Sequence, residues 1–407
     1  MRSNYRAIGD FIRLVDIRNN ELKDIPLVGV SINKKFIPSV ANIIGSDMTN
    51  YKLIRKNQFA CSLMQVRRDG KIPVALFEDE EAIISQAYPV FEIVDIDELL
   101  PQYLMMWMRR SEFDREACFY AVGGVRGSLE WEDFCAMQLP IPSIEKQREI
   151  VKEYHTIVDR IKLNEQLNQK LEDTAQTIYK EWFVNFEFPH NFSHSELDSE
   201  PNIKPYKSNG GEMVYCEELD MEIPEGWEVG TLSDVMEYSK ERVLLSELSF
   251  DTYISTENMI ENRGGVTTAS SLPTAANVSK FNKNNILISN IRPYFKKIWL
   301  AEFEGGCSND ILCIKSKNNN PLFLYFILEQ DNFFDYVMAG SKGTKMPRGD
   351  KDWILKYPIV IPPEEHLKVF SNMSESLKIG INIKSKSTKN LIELSNTLLS
   401  KMATIDG

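Results

Sequence analysis

The chain has 407 residues, 43% of them hydrophobic and 26% charged, which is typical of a globular protein with two or three domains. No apolar run is long enough to span a bilayer, and the first residues lack the apolar core of a signal peptide, so we expect a cytoplasmic protein without a membrane anchor. The six cysteines show no paired spacing, so we expect neither a disulfide framework nor a zinc ribbon. The net charge of −12 argues against a nucleic-acid-binding protein only if the charges are evenly spread, and much of the acidic excess lies in 187–222.

The first predicted domain covers residues 1–142 and has mixed α/β character. Residues 51–71 form a basic stretch. Residues 82–94 are rich in β-branched and aromatic side chains, which predicts strands, and 98–119 carries apolar residues at helical spacing. A glycine-rich loop at 123–134 follows, and the domain ends in an apolar run that closes on Ile-Pro.

A long helix is predicted next, at 143–186. The segment from Ile144 to Phe183 contains no glycine or proline, and its apolar residues alternate at steps of four and three, the pattern of a coiled-coil seam. Asn164 and Asn168 fall on the same seam, where polar residues cost stability and fix the register. The apolar seam residues are Ile150, Tyr154, Ile157, Ile161, Leu171 and Ile178. Because one helix cannot bury its own stripe, a partner helix is expected.

The rest of the chain repeats this organisation. A polar linker is predicted at 187–222, a second mixed α/β domain at 223–363 and a second long helix at 364–407. The seam residues of that helix are Phe370, Leu377, Leu391 and Leu398. Pro142 and Pro362 of the two Ile-Pro motifs are separated by 362 − 142 = 220 residues. The repeat predicts two pseudo-symmetric α/β domains separated by two long antiparallel helices.

The basic stretch also recurs at the same place in the repeat. Residues 55–62 align with 282–289, and 280–301 holds five cations and no acidic residue. Arginine can bond a guanine edge, lysine can pair with phosphate, and serine or asparagine can bond base edges. One such stretch could equally be a solvated strand face, but two at equivalent positions favour contact with DNA. The candidate DNA-binding residues are Gln65, Arg67, Arg68, Lys71 and Arg126 in the first domain and Ser289, Asn290, Arg292, Tyr294, Lys296, Lys297, Lys342, Lys345 and Arg348 in the second.

Arg292 is the preferred candidate for reading a base. Pro293 follows it, and a residue before proline favours an extended backbone, so we expect Arg292 to be extended. When Ser62 is aligned with Ser289, Gln65 occupies the position of Arg292. We therefore expect the two domains to read different bases.

Signatures of catalysis are missing from the sequence. It contains no H-E-x-x-H, no G-x-x-x-x-G-K-[ST], no G-x-S-x-G and no Asn-Pro-Pro-aromatic or Asp-Pro-Pro-aromatic tetrapeptide of the kind that amino-methyltransferases use to hold a flipped base. His190 and His194 are spaced like metal ligands but have no cysteine or aspartate beside them. We predict no catalytic residue, no bound cofactor and no metal ligand in this chain.

Taken in order, several stretches resemble the specificity subunit of type I restriction–modification systems. They are 281–314, 139–151 with its echo at 357–370, 51–76 and 224–235. The resemblance implies two target-recognition domains, each reading one half of a bipartite site in double-stranded DNA. It also implies that the helices measure the spacer and dock two modification subunits.

The chemistry implied by the resemblance belongs to partner subunits. The modification subunits would bind S-adenosylmethionine and methylate adenine at N6, and two restriction subunits, where a system has them, would use ATP and magnesium. A modification-only complex remains an alternative, as does a coiled-coil scaffold without DNA recognition. A fused methyltransferase or nuclease is disfavoured because its motifs are missing.

Overall fold

The protein is described from a computed structural model that covers residues 4–39, 47–64, 66–121, 127–191, 203–318, 320–343 and 345–404. The chain divides into two compact units. Unit 1 comprises Met1–Gln166 and Lys384–Gly407, and unit 2 comprises Leu167–Ile383. Each unit contains one mixed α/β domain and one part of each of two long helices. Within the described part of the chain, no helix combines the length and apolar composition that crossing a membrane requires.

Unit 1 contains two four-stranded sheets together with several short helices. Its elements before the first long helix are β1 Tyr5–Ala7, β2 Ile12–Val15, β3 Leu27–Val30, β4 Phe36–Pro38, β5 Lys52–Arg55, β6 Gln58–Cys61, α1 Val66–Asp69, β7 Val74–Leu76, β8 Glu81–Ile84, β9 Val90–Ile93, α2 Pro101–Met108, α3 Ser111–Tyr120, α4 Trp131–Ala136 and β10 Gln138–Pro140. Phe59 of β6 stacks on Phe91 of β9 with ring centroids 5.0 Å apart, at the centre of the core. Helix α2 is apolar on nearly every side and is buried in that core.

Unit 2 begins at Leu167, within the first long helix, α5, which runs over Ile144–Phe183. Its further elements are β11 Pro189–Asn191, β12 Ile203–Pro205, β13 Met213–Cys216, β14 Met221–Pro224, β15 Glu228–Thr231, α6 Leu232–Val235, β16 Met236–Tyr238, β17 Arg242–Leu244, β18 Tyr253–Ile254, β19 Asn277–Phe281, β20 Ile286–Ser289, β21 Ile298–Leu300, β22 Gly305–Cys307, β23 Ile311–Ser316, α7 Pro321–Leu328, α8 Asp331–Ala339, α9 Lys351–Leu355 and β24 Pro358–Ile361. The second long helix, α10, runs over Glu364–Lys401.

The strand orders of the two domains confirm the predicted repeat. One sheet runs β2-β9-β6-β7 in unit 1 and β16-β23-β20-β21 in unit 2. The other contains β5-β8-β3 in unit 1 and β19-β22-β18 in unit 2, and in each case the last two strands are parallel. The domains differ in the fourth strand of this sheet, because β4 lies beside β3 whereas β17 lies beside β19.

The turn before the repeated strands β6 and β20 has the same local structure in both domains. Asn57 and Asn284, which differ by 227 residues, both have left-handed backbones, with φ of 66° and 69°. The Gln58 side chain accepts the Arg55 backbone N–H at 2.8 Å, and the Asn285 side chain accepts the Asn282 N–H at 2.7 Å. This offset is the one that aligns Ser62 with Ser289.

The predicted long helices pair antiparallel within each unit, which confirms that part of the fold. In unit 1, Tyr154 shares a buried cluster with Leu399 and Met402, and the Asn164 amide lies 3.4 Å from the Ser387 hydroxyl. Later residues of α5 therefore lie beside earlier residues of α10, so the two helices run in opposite directions.

Unit 2 shows the same antiparallel direction. Phe183 and Phe370 make an edge-to-face contact at 4.9 Å, and Leu171 lies 3.4 Å from the point that a Cβ on Gly380 would occupy. Leu171 and Gly380 therefore lie at one level of the helix pair.

The predicted seam is only partly apolar. Tyr154, Ile157 and Phe370 are buried, and the other predicted seam residues are half-buried: Ile150, Ile161, Leu171, Ile178, Leu377, Leu391 and Leu398. On α10, Leu399 is buried more fully than Leu398, and Ser374 and Ser395 are also buried. The last turn is therefore rotated slightly from the predicted phase, and polar side chains occupy part of the α10 stripe.

The segment predicted as a polar linker, 187–222, is folded in its described residues. Two antiparallel hairpins form, one from β11 and β12 and the other from β13 and β14. Phe188 is buried between Tyr206, 4.6 Å away, and Trp227, 5.0 Å away. The polar composition of the segment did not indicate this packing, because it depends on three aromatic residues that are far apart in the sequence, Phe188, Tyr206 and Trp227.

We predict that Phe370→Ala lowers the free energy of unfolding by about 3–5 kcal/mol, because Phe370 is completely buried and its loss leaves a cavity among aromatic rings. Thermal and urea unfolding of the full chain measures the change. Val369→Ala is the matched control, since Val369 is 50% exposed and should cost little. Equal losses for the two variants would contradict the packing of this seam.

Candidate nucleic-acid interface

The basic stretch of unit 2 forms a compact turn between β20 and β21. A single 3-10 turn, Pro293–Phe295, lies between Arg292 and Lys296. Both flanking residues have left-handed backbones with φ of 50°. This conformation costs roughly 1–2 kcal/mol for a residue with a side chain, so the surrounding structure must hold the turn in place.

The prediction of an extended Arg292 is wrong. Its backbone N–H donates to the Pro347 carbonyl at 2.8 Å, and its own carbonyl accepts the Phe295 N–H at 3.0 Å. The Lys296 N–H donates to the Pro293 carbonyl at 2.8 Å and closes the turn. These bonds outweigh the extended preference of a residue before proline.

A second loop supports the turn from the other side. The backbone N–H groups of Asn262 and Arg263 donate to the carbonyls of Phe295 and Lys296 at 2.9 and 3.0 Å. Asn262 and Arg263 are themselves left-handed, with φ of 54° and 63°. Four strained residues thus surround one turn, an arrangement that is concentrated at functional sites.

An ion cluster joins the side chains of this support. Asp331, at the start of α8, accepts hydrogen bonds from the Lys296 ammonium at 2.7 Å and from the Arg263 guanidinium. These two partners lower the pKa of Asp331 to about 2. The Arg263 Nε also donates to the Glu329 backbone carbonyl at 2.6 Å.

The glycine-rich loop of unit 2, at 340–353, is the counterpart of the loop at 123–134, and its described residues lie against the same turn. Ile291 pairs with Arg348 in a short β-bridge, and the Gly349 N–H donates to the Asn290 carbonyl at 3.2 Å. A Cβ on Gly349 would lie 2.7 Å from the Asn290 side-chain oxygen, so a larger residue here would have to displace the Asn290 side chain. The structure therefore brings the two predicted segments of unit 2 into one surface.

Five candidate side chains of unit 2 are exposed on this surface: Arg292, Tyr294, Lys342, Lys345 and Arg348. Two of these cations have acidic neighbours. Lys342 lies 2.6 Å from Asp350, and Arg348 lies 2.6 Å from Asp310. Exposed pairs of this kind are weak, so phosphate can compete for both cations.

The remaining candidates of unit 2 hold the turn rather than project from it. Ser289 is 4% exposed, and its hydroxyl donates to the Ile291 carbonyl at 3.0 Å, so the predicted bond from Ser289 to a base edge does not fit. The Asn290 side-chain oxygen is buried. Lys296 is paired with Asp331, and the Lys297 ammonium donates to the Thr256 carbonyl at 2.9 Å.

Unit 1 presents its basic residues on a different element. Arg67 and Arg68 lie exposed on the short helix α1, and Lys71 is exposed just after it. Arg68 is paired with the adjacent Asp69 at 2.7 Å. The candidates Gln65 and Arg126 lie outside the described residues. Gly127, within the glycine-rich loop, packs against Arg67.

The loop contact of unit 2 is repeated in unit 1. The Leu129 N–H donates to the Leu63 carbonyl at 2.9 Å, as Gly349 does to Asn290. The donors differ by 349 − 129 = 220 residues and the acceptors by 290 − 63 = 227, which are the two offsets of the sequence repeat. In both domains, a basic segment after the repeated strand is tied to the glycine-rich loop.

Sequence reasoning missed Asn262, Arg263 and Asp331. The run Asn-Arg-Gly-Gly at 262–265 is a turn signal that could have indicated left-handed backbone. Arg263 and Asp331 are 68 residues apart in the chain, and no periodicity links them.

A cavity of about 600 Å³ lies within unit 2 behind this support. Its lining includes Glu172, Arg263, Trp299, Tyr325 and Glu329. Glu329 is 4% exposed, and burial raises its pKa to about 7 although Arg263 and Tyr325 favour the charged form. Burial also raises the pKa of Glu172. Because the pKa of Glu329 is about 7, the charge of Glu329 changes near neutral pH.

Comparisons with known proteins agree on one family. The type I restriction modification DNA specificity domain matches residues 17–173 and 224–393. The MjaIX specificity subunit of Methanocaldococcus jannaschii is 23% identical over 325 residues, which are 76% of this chain and 70% of that protein. The EcoDI specificity subunit of Escherichia coli is 32% identical over 89 residues, 21% of this chain and 20% of that protein.

A solved structure shares the fold. The crystal structure of the type I restriction-modification S subunit from M. genitalium matches with a TM-score of 0.52 and 15% sequence identity. The match covers 98% of this chain and 95% of that one.

We predict that Glu329→Gln makes the protein less sensitive to pH between 5 and 8. The folded pKa of Glu329 is raised to about 7 from an ordinary 4.5, so its neutral form stabilises the fold at low pH and that stability is lost as the pH rises through 7. Relative to wild type, the variant should gain on the order of 2 kcal/mol between pH 5 and pH 8. Thermal unfolding at both pH values measures this gain. The same substitution at Glu375, which is exposed on α10, is the control, and an equal response of the two variants would refute the assignment.

Proposed function

Because the chain belongs to the type I restriction modification DNA specificity family, we propose that each of its two α/β domains reads one half of a bipartite double-stranded DNA site. The observation that carries this proposal is the recurrence, in both domains, of exposed cations on a segment tied to the glycine-rich loop. An accidental charge run need not recur with the same backbone contact. Cations that neutralise phosphates supply affinity, and those that reach base edges supply specificity.

The exposed side chains suggest a division of labour. Arg292 and Tyr294 lie on the rigid turn and are suited to base edges or to stacking, whereas Lys342 and Lys345 lie on the loop and are suited to phosphates. In unit 1, Arg67 takes the place of Arg292 as the candidate reader, since it is exposed beside the glycine-rich loop.

We assign the chemistry to partner subunits. Two modification subunits would bind S-adenosylmethionine and methylate adenine N6, and two restriction subunits using ATP and magnesium would join where the system has them. On α10 within unit 2, Ile379 and Ile383 lie one helical turn apart and are 53% and 62% exposed, which makes this face a candidate docking surface for a partner subunit.

A coiled-coil scaffold without DNA recognition is the second candidate function. The same exposed aliphatic residues on α10 favour it, and it requires the basic segments to be solvated faces. DNA binding separates the two candidates.

We predict that Arg292→Ala relaxes recognition at one position of one half-site and costs about 1–3 kcal/mol of discrimination, because a bidentate bond to a base is lost. Lys345→Ala should weaken binding to all sequences and reduce the salt slope by about one unit. Mapping methylated motifs and measuring binding against salt, both in complex with the modification partner, test these outcomes. Arg67→Ala should relax the other half-site only.

Lys240→Ala is the control for these variants, since Lys240 is exposed in unit 2 outside both basic segments. Unchanged motifs and salt slopes in all the variants would refute the DNA-reading proposal and favour the scaffold.

We also predict that the helices set the spacer between the half-sites. Asn164 and Ser387 lie at one level of the helix pair, so seven residues inserted after Asn164 and seven before Ser387 lengthen both helices by ~10 Å and nearly preserve the seam. The methylated motif should then have a spacer longer by about three base pairs, with the same half-site bases. Seven residues in α5 alone are the control and should disrupt the seam. A methylated motif with an unchanged spacer in the double insertion would contradict the ruler.

A further inference from the structure

The turn that presents Arg292 and Tyr294 is held by side chains from two other segments. Asp331 accepts hydrogen bonds from both Lys296 of the turn and Arg263 of the neighbouring loop, so it links the two through one carboxylate. It begins α8, where the partial positive charge of the helix N-terminus also favours a carboxylate. The fixed negative charge of Asp331 therefore balances two cations in a cluster beside the proposed DNA surface.

The backbone explains why such a clamp is needed. Arg292, Lys296, Asn262 and Arg263 are all left-handed, and the bonds from Asn262 to Phe295 and from Arg263 to Lys296 tie the strained residues to one another. Strain of this kind persists only when its surroundings determine it. Without Asp331, the Lys296 and Arg263 side chains lose their shared acceptor, and backbone hydrogen bonds alone then hold the turn against the loop of Asn262 and Arg263.

We infer that Asp331 is a positioning residue for DNA specificity, which clamps the Arg292–Lys296 turn through Lys296 and Arg263 and so sets the selectivity of the half-site read by unit 2. This inference rests on the proposed function. It also reassigns Lys296 from a phosphate contact to a part of the clamp. Asp331 is not among the residues that the sequence predicted to bind DNA.

The charge of Asp331 gives the inference a signature that a merely structural residue lacks. A carboxylate close to DNA repels phosphate, so Asp331→Asn should strengthen binding to unrelated DNA while it weakens discrimination of the cognate half-site. A simple loss of folded protein would reduce both kinds of binding together. Loss of a phosphate contact would reduce both by the same factor.

The experiment uses the full chain in complex with its modification partner and three DNA duplexes: the cognate site, the site with the unit 2 half scrambled, and the site with the unit 1 half scrambled. For Asp331→Asn we expect discrimination of the unit 2 half-site to fall about tenfold, the range of a single base contact, with discrimination of the unit 1 half-site unchanged. Binding to the duplex with the scrambled unit 2 half should become tighter. Asp331→Glu should restore part of the discrimination.

Lys296→Gln separates the clamp from a phosphate contact. The clamp predicts the same selective loss at the unit 2 half-site with an unchanged salt slope, whereas a phosphate contact predicts equal weakening of all three duplexes and a slope smaller by about one unit. Glu241→Gln is the control, because Glu241 accepts a 2.8 Å bond from Lys315 in the same unit and does not touch the turn. It should leave all three affinities unchanged.

Unchanged discrimination in Asp331→Asn, in a complex whose wild type discriminates both half-sites, would overturn the clamp and leave the proposed function intact. Failure of the wild-type complex to discriminate either half-site would instead overturn the proposed function. Thermal unfolding of each variant shows whether a loss of binding reflects loss of the fold.

Discussion

Each long helix carries one buried stripe, and it can bury that stripe only against a second helix. In unit 1, the second helix comes from the far end of the sequence. Leu399 and Met402 of that segment lie in the same core as Tyr154 and the first domain, and the Tyr5 hydroxyl donates to the Ala403 carbonyl at 3.1 Å. The core of the N-terminal domain is therefore completed by residues almost 400 positions later. The first half of the chain alone would lack this part of its core.

Polar residues in the seam fix the register of the two helices but lower their stability. Asn164 is fully buried, and its amide reaches Ser387 only at 3.4 Å, while its side-chain oxygen has no partner within the described part of the chain. Buried polar groups that are incompletely bonded cost free energy, whereas an apolar pair at the same place would stabilise the helices. A polar residue in a seam restricts register, and register is what a spacer of fixed length requires. The aromatic cluster around Phe370 in unit 2 offsets such losses.

The sequence was a good guide wherever a feature depended on period or repetition. The limits of α5, the partner helix and the order of elements in the two domains all follow from spacing and from the two offsets. It was a poor guide wherever structure depended on contacts between distant residues. Arg292 is left-handed because Pro347 accepts its N–H, and the polar segment after α5 is folded because Phe188 reaches Trp227. Local sequence preferences do not indicate such distant partners. Asp331, which joins the turn to α8, likewise shows no local sequence pattern.

The two domains suggest how one frame can serve two different recognition tasks. In each, the loop contact between Leu63 and Leu129 or between Asn290 and Gly349 fixes where the segment after the repeated strand begins. Beyond that point the domains diverge, because unit 1 has the short helix α1 and unit 2 has a 3-10 turn between two strained residues. The strands and helices around the segment bury the core and tolerate little change, whereas the segment presents exposed side chains, which are Arg67, Arg68 and Lys71 in unit 1 and Arg292 and Tyr294 in unit 2. Substitutions in these exposed residues and in the side chains that support them can therefore change what either domain binds, without rebuilding the sheets that hold them.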